Sequence, residues 1–162
     1  MKTKLLLFIW AICLGASMWM LFDSGQAEGE ERKPIYDESA VGSKQIAEAL
    51  LIAKRDNKLV LLQFGANRCI WCHRLHRFFE TDKAVRRELR SDFVVVLVDV
   101  KDGHNGSVVG LYGQDAHSGI PAIAVLSSDG KPIASTDSEA FFENDHYSSK
   151  KIVKFLDSCI RN

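Results

Sequence analysis

The sequence predicts an α/β fold with a central mixed sheet flanked by helices on both faces. Helical and strand-like patterns alternate along the chain, as they do where parallel strands are joined by helical crossovers. The apolar runs 58–64 and 92–100 are separated by a helical pattern, so we expect two parallel, neighbouring strands. The later runs 120–128 and 133–136 are joined by the turn SSDGKP and should form an antiparallel pair at the edge of the sheet.

The first three elements follow from the spacing of apolar residues. Such residues recur at helical intervals over 43–56, and Ser43 is a suitable N-cap. The run KLVLLQF, 58–64, is short, uninterrupted and followed by Gly65, as expected of a buried strand. A helix should begin near Cys69, because the apolar residues after it stand at i, i+4, i+7 and i+8. That stripe consists of Trp71, Leu75, Phe78 and Phe79.

The second half of the chain adds strands, a loop and a last helix. DFVVVLVDV, 92–100, is rich in β-branched residues and predicts a strand buried on both faces. The segment 101–119 is rich in glycine and polar residues, so we expect a loop with one helical turn around 108–112. The last helix should begin after Ser148 or Ser149 and bury one apolar stripe. That stripe consists of Ile152, Phe155, Leu156, Cys159 and Ile160.

The size and charge of the chain restrict the classes of function. A length of 162 residues suits one domain with a proper core. The 21 basic residues balance 21 acidic ones, so nothing in the composition indicates a nucleic acid or an anionic membrane surface as partner.

The N-terminus has the pattern of a secretory signal. Lys2 and Lys4 precede an uncharged apolar stretch, 5–22, and the small residues that follow include Ala27, the expected cleavage site. The alternative is an uncleaved membrane anchor formed by 5–22, which approaches the minimum length of a spanning helix. In either case we expect the rest of the chain to be extracytoplasmic, either periplasmic or secreted, where disulfides persist.

The chain is thereby divided into three parts. Residues 1–27 form the signal peptide, 28–42 a polar and irregular linker, and 43–162 a single domain. Three cysteines lie beyond the signal, and the close spacing of two of them indicates one functional pair. The third, Cys159, lies on the apolar stripe of the last helix and should be a buried, inert thiol.

The stretch FGANRCIWCHRLHRFF, 64–79, holds the functional pair. Cys69 should sit in the first turn of a helix, where unpaired N–H groups and the helix dipole favour a thiolate. Arg68 and His73 add positive charge beside it, which acts in the same direction. Cys72 lies one helical turn further and is placed to attack a mixed disulfide formed at Cys69. This layout predicts a thiol–disulfide exchange site with Cys69 as nucleophile and Cys72 as resolving thiol.

Other uses of the same stretch stay open from the residues alone. CIWCH satisfies the attachment pattern of a c-type haem, with His73 as an axial ligand. The two cysteines, with His73 and His76, share one helical face and could carry a soft metal ion such as copper. They span ~10 Å along the helix, however, which is too far for one tetrahedral shell. The cysteines could also form a disulfide that only pins a turn.

Several segments together carry a family resemblance. They are the strand LVLLQF, the CIWC that opens a helix, a valine-rich strand, and GIPAIAVL followed by DGK. Over about residues 43–161 these segments resemble the thioredoxin superfamily, and most closely its extracytoplasmic domains. The resemblance implies a thioredoxin-like fold and a cis peptide bond between Ile120 and Pro121. It also implies that Ile120 and Pro121 lie against the CxxC motif and align a substrate chain there.

The resemblance further implies thiol–disulfide oxidoreductase activity on protein substrates. The substrates would be extracytoplasmic proteins that contain cysteine. A redox partner, such as a membrane electron-transfer protein, would recycle the dithiol. No cofactor and no metal ion is expected.

Four positions depart from the usual thioredoxin pattern. Arg68 replaces the tryptophan before the first cysteine, and Ile70 and Trp71 replace the Gly-Pro between the two cysteines. Gln63 stands where family members often carry a buried acid, and glutamine cannot accept a proton. We therefore expect Arg68, Trp71 and His73 to tune the site differently from thioredoxin, and the direction of electron flow stays open.

Overall fold

The centre of the computed structural model, which describes residues 32–113, 116 and 119–161, is a four-stranded mixed sheet. Its strands are β1 (Leu59–Gly65), β2 (Phe93–Asp99), β3 (Ala122–Leu126) and β4 (Pro132–Asp137), in the spatial order β2-β1-β3-β4. β1 and β2 are parallel, β3 is antiparallel to β1, and β4 is antiparallel to β3. The predicted parallel pair and the predicted antiparallel edge are both confirmed.

Five α-helices and a short hairpin complete the described structure. The helices are α1 (Gly42–Asp56), α2 (Ile70–Thr81), α3 (Lys83–Asp92), α4 (Gly106–Tyr112) and α5 (Ser149–Ile160). The hairpin consists of β5 (Phe142–Glu143) and β6 (His146–Tyr147), and 3₁₀ turns occupy Lys101–Gly103 and Ser138–Phe141. The helical turn expected around 108–112 is confirmed as α4.

Helices cover both faces of the sheet, because side chains alternate along each strand. Val60 and Leu62 of β1 belong to a buried cluster with residues of α1 and α4. Leu61, which points to the other face, belongs to a second cluster with residues of α2, α3 and α5. The predicted fold class, a mixed sheet between helices, is therefore confirmed.

The single helix predicted between β1 and β2 is in fact two helices, divided at Asp82. Asp82 ends α2 and is the N-cap of α3, where its carboxylate accepts hydrogen bonds from Ala84 N at 3.1 Å and Val85 N at 3.0 Å. Ser149 Oγ also donates to this carboxylate at 2.9 Å, which links the start of α5 to the same corner. An aspartate directly after a helical stripe is the signal for this second helix.

A further expectation differs from the structure at the first helix. The N-cap of α1 is Val41 rather than Ser43, and its side chain makes no capping hydrogen bond. The amide of Gly42 is instead bound by Asn105 Oδ1 at 2.8 Å. A side chain 63 positions away thus replaces the local cap, which no local sequence pattern can indicate.

The valine-rich strand β2 is not buried on both faces, contrary to expectation. It lies at the edge of the sheet and pairs only with β1, and Val95 is 39% exposed. The predicted stripe of α5 is buried at Ile152, Leu156 and Cys159, whereas Ile160 at the end of the helix is exposed.

The N-terminal predictions fall largely outside the described residues. These are the signal peptide or anchor of 1–27 and the first part of the linker, 28–31. Within the described ranges, no helix combines the length and the apolar character that crossing a membrane requires. The helices and strands named here all belong to one compact unit, Lys33–Asn162.

Replacing Asp82 by alanine should lower the free energy of unfolding by about 1–2 kcal/mol, because α3 loses its N-cap and Ser149 loses its acceptor. Urea denaturation followed by circular dichroism measures this change. The control is Asp129→Ala, which removes only an exposed ion pair with Lys54 and should change stability by less than about 1 kcal/mol. Equal losses in both variants would contradict the role given to Asp82.

Candidate active site

The two cysteines of the CxxC motif lie at the start of α2, just after the loop that follows β1. Cys69 is the N-cap of α2, and its Sγ accepts a hydrogen bond from Cys72 N at 3.1 Å. The two residues form a disulfide, with their Cα atoms 5.3 Å apart. Cys72 is fully buried, whereas Cys69 is only half-buried. One sulfur is therefore accessible at a helix start, and the other is shielded behind it.

The loop before β3 lies against the accessible sulfur. The Ile120–Pro121 peptide bond is cis, and Ile120 O lies 3.7 Å from Cys69 Sγ. The carbonyl of Pro121 is occupied, because it accepts a hydrogen bond from Ser138 N at 3.1 Å. The fold thus brings Ile120 to Cys69 from 51 positions away in the sequence.

A cavity of about 350 Å³ opens beside these residues. Its lining combines apolar and acidic side chains, namely Trp71, Ile120, Pro121, Phe142, Asp137 and Glu139, together with Gly119 and Ser138. The cavity therefore lies next to Cys69 and presents both apolar surface and negative charge.

Trp71 forms one wall of this cavity instead of packing in the core. The sequence stripe placed Trp71 on the buried side of the helix, but its side chain is 38% exposed, while Leu75 and Phe79 are buried. The indole contacts the ring of Phe142 at a centroid distance of 5.2 Å, and the guanidinium of Arg74 lies 4.4 Å from its centroid. Trp71 lies in the first turn of α2, where the hairpin that carries Phe142 covers it.

Arg68 forms an ion pair at the surface of the protein. Its guanidinium forms an ion pair with Asp102 at 3.1 Å, and both side chains are well exposed. An exposed pair of this kind is screened by water.

His73 holds the loop before the motif. Its Nε2 lies 2.8 Å from the carbonyl oxygen of Asn67, and since a carbonyl only accepts, this nitrogen carries a proton. The nitrogen that would serve as an axial haem ligand in the alternative reading is thus engaged with the backbone.

Among the residues that the structure describes, no three His, Cys, Asp or Glu side chains lie close enough together to hold a metal ion. Burial lowers the pKa of the nearby His76.

Gln63 lies beneath the disulfide in a buried polar group. It is fully buried, and its Nε2 donates to Tyr36 Oη at 2.7 Å and to Cys72 O at 3.2 Å. Tyr36 is 3% exposed, and burial raises the pKa of its hydroxyl. The position that carries an acid in many thioredoxins is thus part of a neutral amide–phenol pair.

Asn67 attaches the segment before α1 to the active-site loop. Its Oδ1 accepts hydrogen bonds from Ile35 N and Tyr36 N, both at 2.9 Å. Its Nδ2 donates to Tyr36 O at 3.0 Å and to Glu38 Oε1 at 3.1 Å. The segment before α1 has no regular secondary structure in its described part, and its central residues are bound to the domain.

Asn67 and Tyr36 are the residues of the site that sequence reasoning missed. An asparagine in the tight turn before the cysteines and a lone aromatic residue in a polar segment were the available signals. Neither signal identifies its partner, because the two residues are 31 positions apart.

The remaining cysteine, Cys159, lies in the core on α5. It is 1% exposed and belongs to the same buried cluster as Leu156 and Ile152. Burial raises the pKa of its thiol, so this cysteine is a poor nucleophile.

Comparisons with known proteins agree with the fold and the motif. Residues 42–128 match a protein family described as thioredoxin-like. The chain is 31% identical to a solved structure described as a disulphide isomerase from Xylella fastidiosa Temecula1, with a TM-score of 0.68, covering 80% of this chain and 98% of that chain. The C-terminal domain of DsbD from Neisseria meningitidis, in the oxidised form, is 18% identical, with a TM-score of 0.52, covering 73% of this chain and 95% of that chain. No curated protein sequence matches.

Replacing Asn67 by alanine should release residues 35–38 from the active-site loop, because two backbone N–H groups lose their acceptor. Amide hydrogen exchange of a peptide covering these residues should become about tenfold faster. Arg68→Ala is the control, since it alters the next residue of the loop but removes only an exposed ion pair. Unchanged exchange in Asn67→Ala would show that other contacts hold the segment.

Proposed function

The chain belongs to the thioredoxin-like family and is a thiol–disulfide oxidoreductase, and we propose that it exchanges disulfides with protein substrates outside the cytoplasm through Cys69 and Cys72. Cys69 is the nucleophile in this proposal, and Cys72 is the resolving thiol. The pair requires no cofactor, because the electrons are carried by the two sulfur atoms.

The reaction has two steps. The Cys69 thiolate attacks one sulfur of a substrate disulfide; a mixed disulfide forms, and the other substrate sulfur leaves as a thiolate with the electron pair. Cys72 then loses its proton and attacks Cys69 Sγ, which closes the Cys69–Cys72 disulfide and releases the second substrate sulfur as a thiolate. The substrate gains two electrons and the protein loses two; the reverse sequence oxidises a substrate dithiol.

The single observation that carries the proposal is the different environment of the two sulfurs. Cys69 Sγ accepts the Cys72 N–H at 3.1 Å at a helix start, and these surroundings favour a thiolate. Cys72 is 0% exposed, so an incoming substrate reaches Cys69 first. A disulfide that only pinned a turn would not need this asymmetry.

Substrate alignment is proposed at Ile120 and Pro121. Ile120 O lies 3.7 Å from Cys69 Sγ, so a chain held along this loop would bring its sulfur to the nucleophile. The cavity beside them offers the wall of Trp71 and the carboxylates of Asp137 and Glu139 to the residues that flank the substrate cysteine.

The three tuning residues are assigned different effects. His73 acts by holding the loop at Asn67 O, and Trp71 acts by shaping the cavity. The charge of Arg68 is largely balanced by Asp102 at the surface, so its contribution to the acidity of Cys69 should be small.

The location and the partners of the protein are also proposals. The basic, then apolar, then small-residue pattern of 1–27 supports export, with 5–22 as a membrane anchor if the signal is retained. An exchanging dithiol must be returned to its starting state, so a redox partner is required. We propose cysteine-containing extracytoplasmic proteins as substrates and a membrane electron-transfer protein as the recycling partner.

Alkylation of the reduced protein at a series of pH values should show that Cys69 reacts well below the pH of a model thiol, whose pKa is about 8.5. The helix start stabilises its thiolate, so the reacting form persists at lower pH. Mass spectrometry of the modified peptides separates the cysteines. Cys159 is the internal control and should stay unmodified in the folded protein, because it is 1% exposed. A Cys69 midpoint at or above 8.5 would refute its activation.

Replacing Cys72 by serine should trap mixed disulfides between Cys69 and protein substrates, because no thiol remains to resolve them. Non-reducing electrophoresis of a periplasmic or secreted extract incubated with the variant detects these adducts. Two variants serve as controls: Cys69→Ser should trap none, and Cys159→Ser should behave as wild type. If the Cys69→Ser variant formed as many adducts as the Cys72→Ser variant, Cys69 would not be the nucleophile.

A further inference from the structure

Tyr36 approaches the buried sulfur of the site at Gly65. A Cβ atom added to Gly65 would lie 2.8 Å from Cys72 Sγ and 2.6 Å from Tyr36 Cζ, with the phenol oxygen closer still. Because glycine has no side chain, the phenol and the sulfur can approach one another over its Cα. Tyr36 is 3% exposed and Cys72 is 0% exposed, so both groups lie away from bulk water.

The amide of Gln63 determines how the Tyr36 hydroxyl is used. Gln63 Nε2 lies 3.2 Å from Cys72 O, and since a carbonyl only accepts, this atom belongs to the NH₂ group. The second proton of that group is donated to Tyr36 Oη at 2.7 Å. The phenol oxygen is therefore an acceptor towards Gln63, which leaves its own O–H available for another acceptor.

The surroundings of Tyr36 keep its hydroxyl protonated. Burial raises the pKa of Tyr36, and although the hydrogen bond from Gln63 opposes this, the charge of Asp99 and the hydroxyl of Tyr147 act in the same direction as burial. Asp99, at the end of β2, is 1% exposed and pairs with His104 Nδ1 at 3.0 Å. Tyr36 is thus a hydrogen-bond donor and not a base.

We infer that the Tyr36 hydroxyl donates a hydrogen bond to the Cys72 sulfur once the disulfide is open, and thereby stabilises the Cys72 thiolate. The inference rests on the proposed function, because it concerns the step in which Cys72 resolves the mixed disulfide. A buried thiolate is unfavourable without a partner, and Gln63 replaces the acid found in many thioredoxins. A neutral hydroxyl that keeps its own proton can instead stabilise the negative charge of the Cys72 thiolate by donating a hydrogen bond to it.

The resolving step is balanced without any proton from Tyr36. The proton of Cys72 passes to the substrate thiolate released in the first step, and the Cys72 thiolate attacks Cys69 Sγ. The Cys69–Cys72 bond forms as the bond from Cys69 to the substrate sulfur breaks, and the substrate thiolate leaves with the electron pair. The hydrogen bond from Tyr36 is strongest while Cys72 is a thiolate and is lost when the disulfide closes.

The test is the reaction of the full-length, reduced protein with an aromatic disulfide that releases a coloured thiolate, followed by stopped-flow absorbance. Cys13→Ser and Cys159→Ala form the common background, so that only Cys69 and Cys72 react. The first thiolate released reports the attack by Cys69, and the second reports resolution by Cys72. The two steps are thus measured separately in one experiment.

In Tyr36→Phe the second phase should be about tenfold slower, because the donor to Cys72 is lost. Gln63 Nε2 loses its acceptor as well, which lowers stability, but the first phase should be unchanged because neither group contacts Cys69. The pH midpoint of the second phase should rise, since the pKa of Cys72 increases without the donor. At a pH above the Cys72 midpoint, where the reduced protein holds the Cys72 thiolate, the equilibrium with glutathione should move about tenfold towards the disulfide form, which lowers the reduction potential by ~30 mV. Tyr112→Phe, a matched change in α4, should leave both phases as in the background protein.

Three results would count against these assignments. An unchanged second phase and pH midpoint in Tyr36→Phe overturns the inference. Slowing of both phases together, with lower thermal stability and no change in midpoint, also overturns it, because that is the result of a purely structural role. A background protein that shows no second phase overturns the proposed function instead.

A measurement on the background protein covers the case in which Tyr36→Phe does not fold. The chain has three tyrosines, and NMR of tyrosine labelled at Cζ gives one signal for each. Tyr112→Phe and Tyr147→Phe identify two of these signals and leave that of Tyr36. This signal should shift on reduction and follow the titration of Cys72. A signal that is the same in both redox states and constant through the titration overturns the inference.

Discussion

The side-chain amide of Asn67 joins the loop of the active site to the segment before the first helix, and the geometry of the site depends on this link. Its oxygen accepts two backbone N–H groups of that segment at 2.9 Å each, which holds Tyr36 against Gly65. The backbone carbonyl of Asn67 accepts a hydrogen bond from Nε2 of His73, in the first turn of α2. The loop that delivers Cys69 is therefore fixed both to the preceding chain and to the following helix.

The two sulfurs of the motif differ in position. Cys69 is the N-cap of α2, while Cys72 is fully buried near the hydrogen-bonded pair of Gln63 and Tyr36. The positive charge of Arg68, prominent in the sequence, is directed to an exposed aspartate. The backbone N–H groups and the buried hydroxyl and amide groups near the motif are screened less than such surface charges.

Prediction from the sequence succeeded where one local signal decides the structure. Apolar runs predicted β1 and β3, and helical spacing predicted α1 and α5, because burial of one face follows directly from periodicity. It failed where a distant residue decides: the amide of Gly42 is bound by Asn105, so the predicted cap at Ser43 is not used. The exposure of Val95 likewise follows from the order of strands in the sheet, which periodicity does not contain.

The sequence by itself determined the α/β class and the motif of two cysteines at a helix start, because the dithiol and its helix are local features. The family resemblance already implied that Ile120 lies against Cys69, 51 positions away. The tertiary structure alone decided the buried surroundings of Cys72, because it brings Tyr36 to Gln63 from 27 positions away. Contacts over such separations form only when the sheet and its helices assemble around a common core. Local patterns in the sequence therefore do not identify which residues will meet.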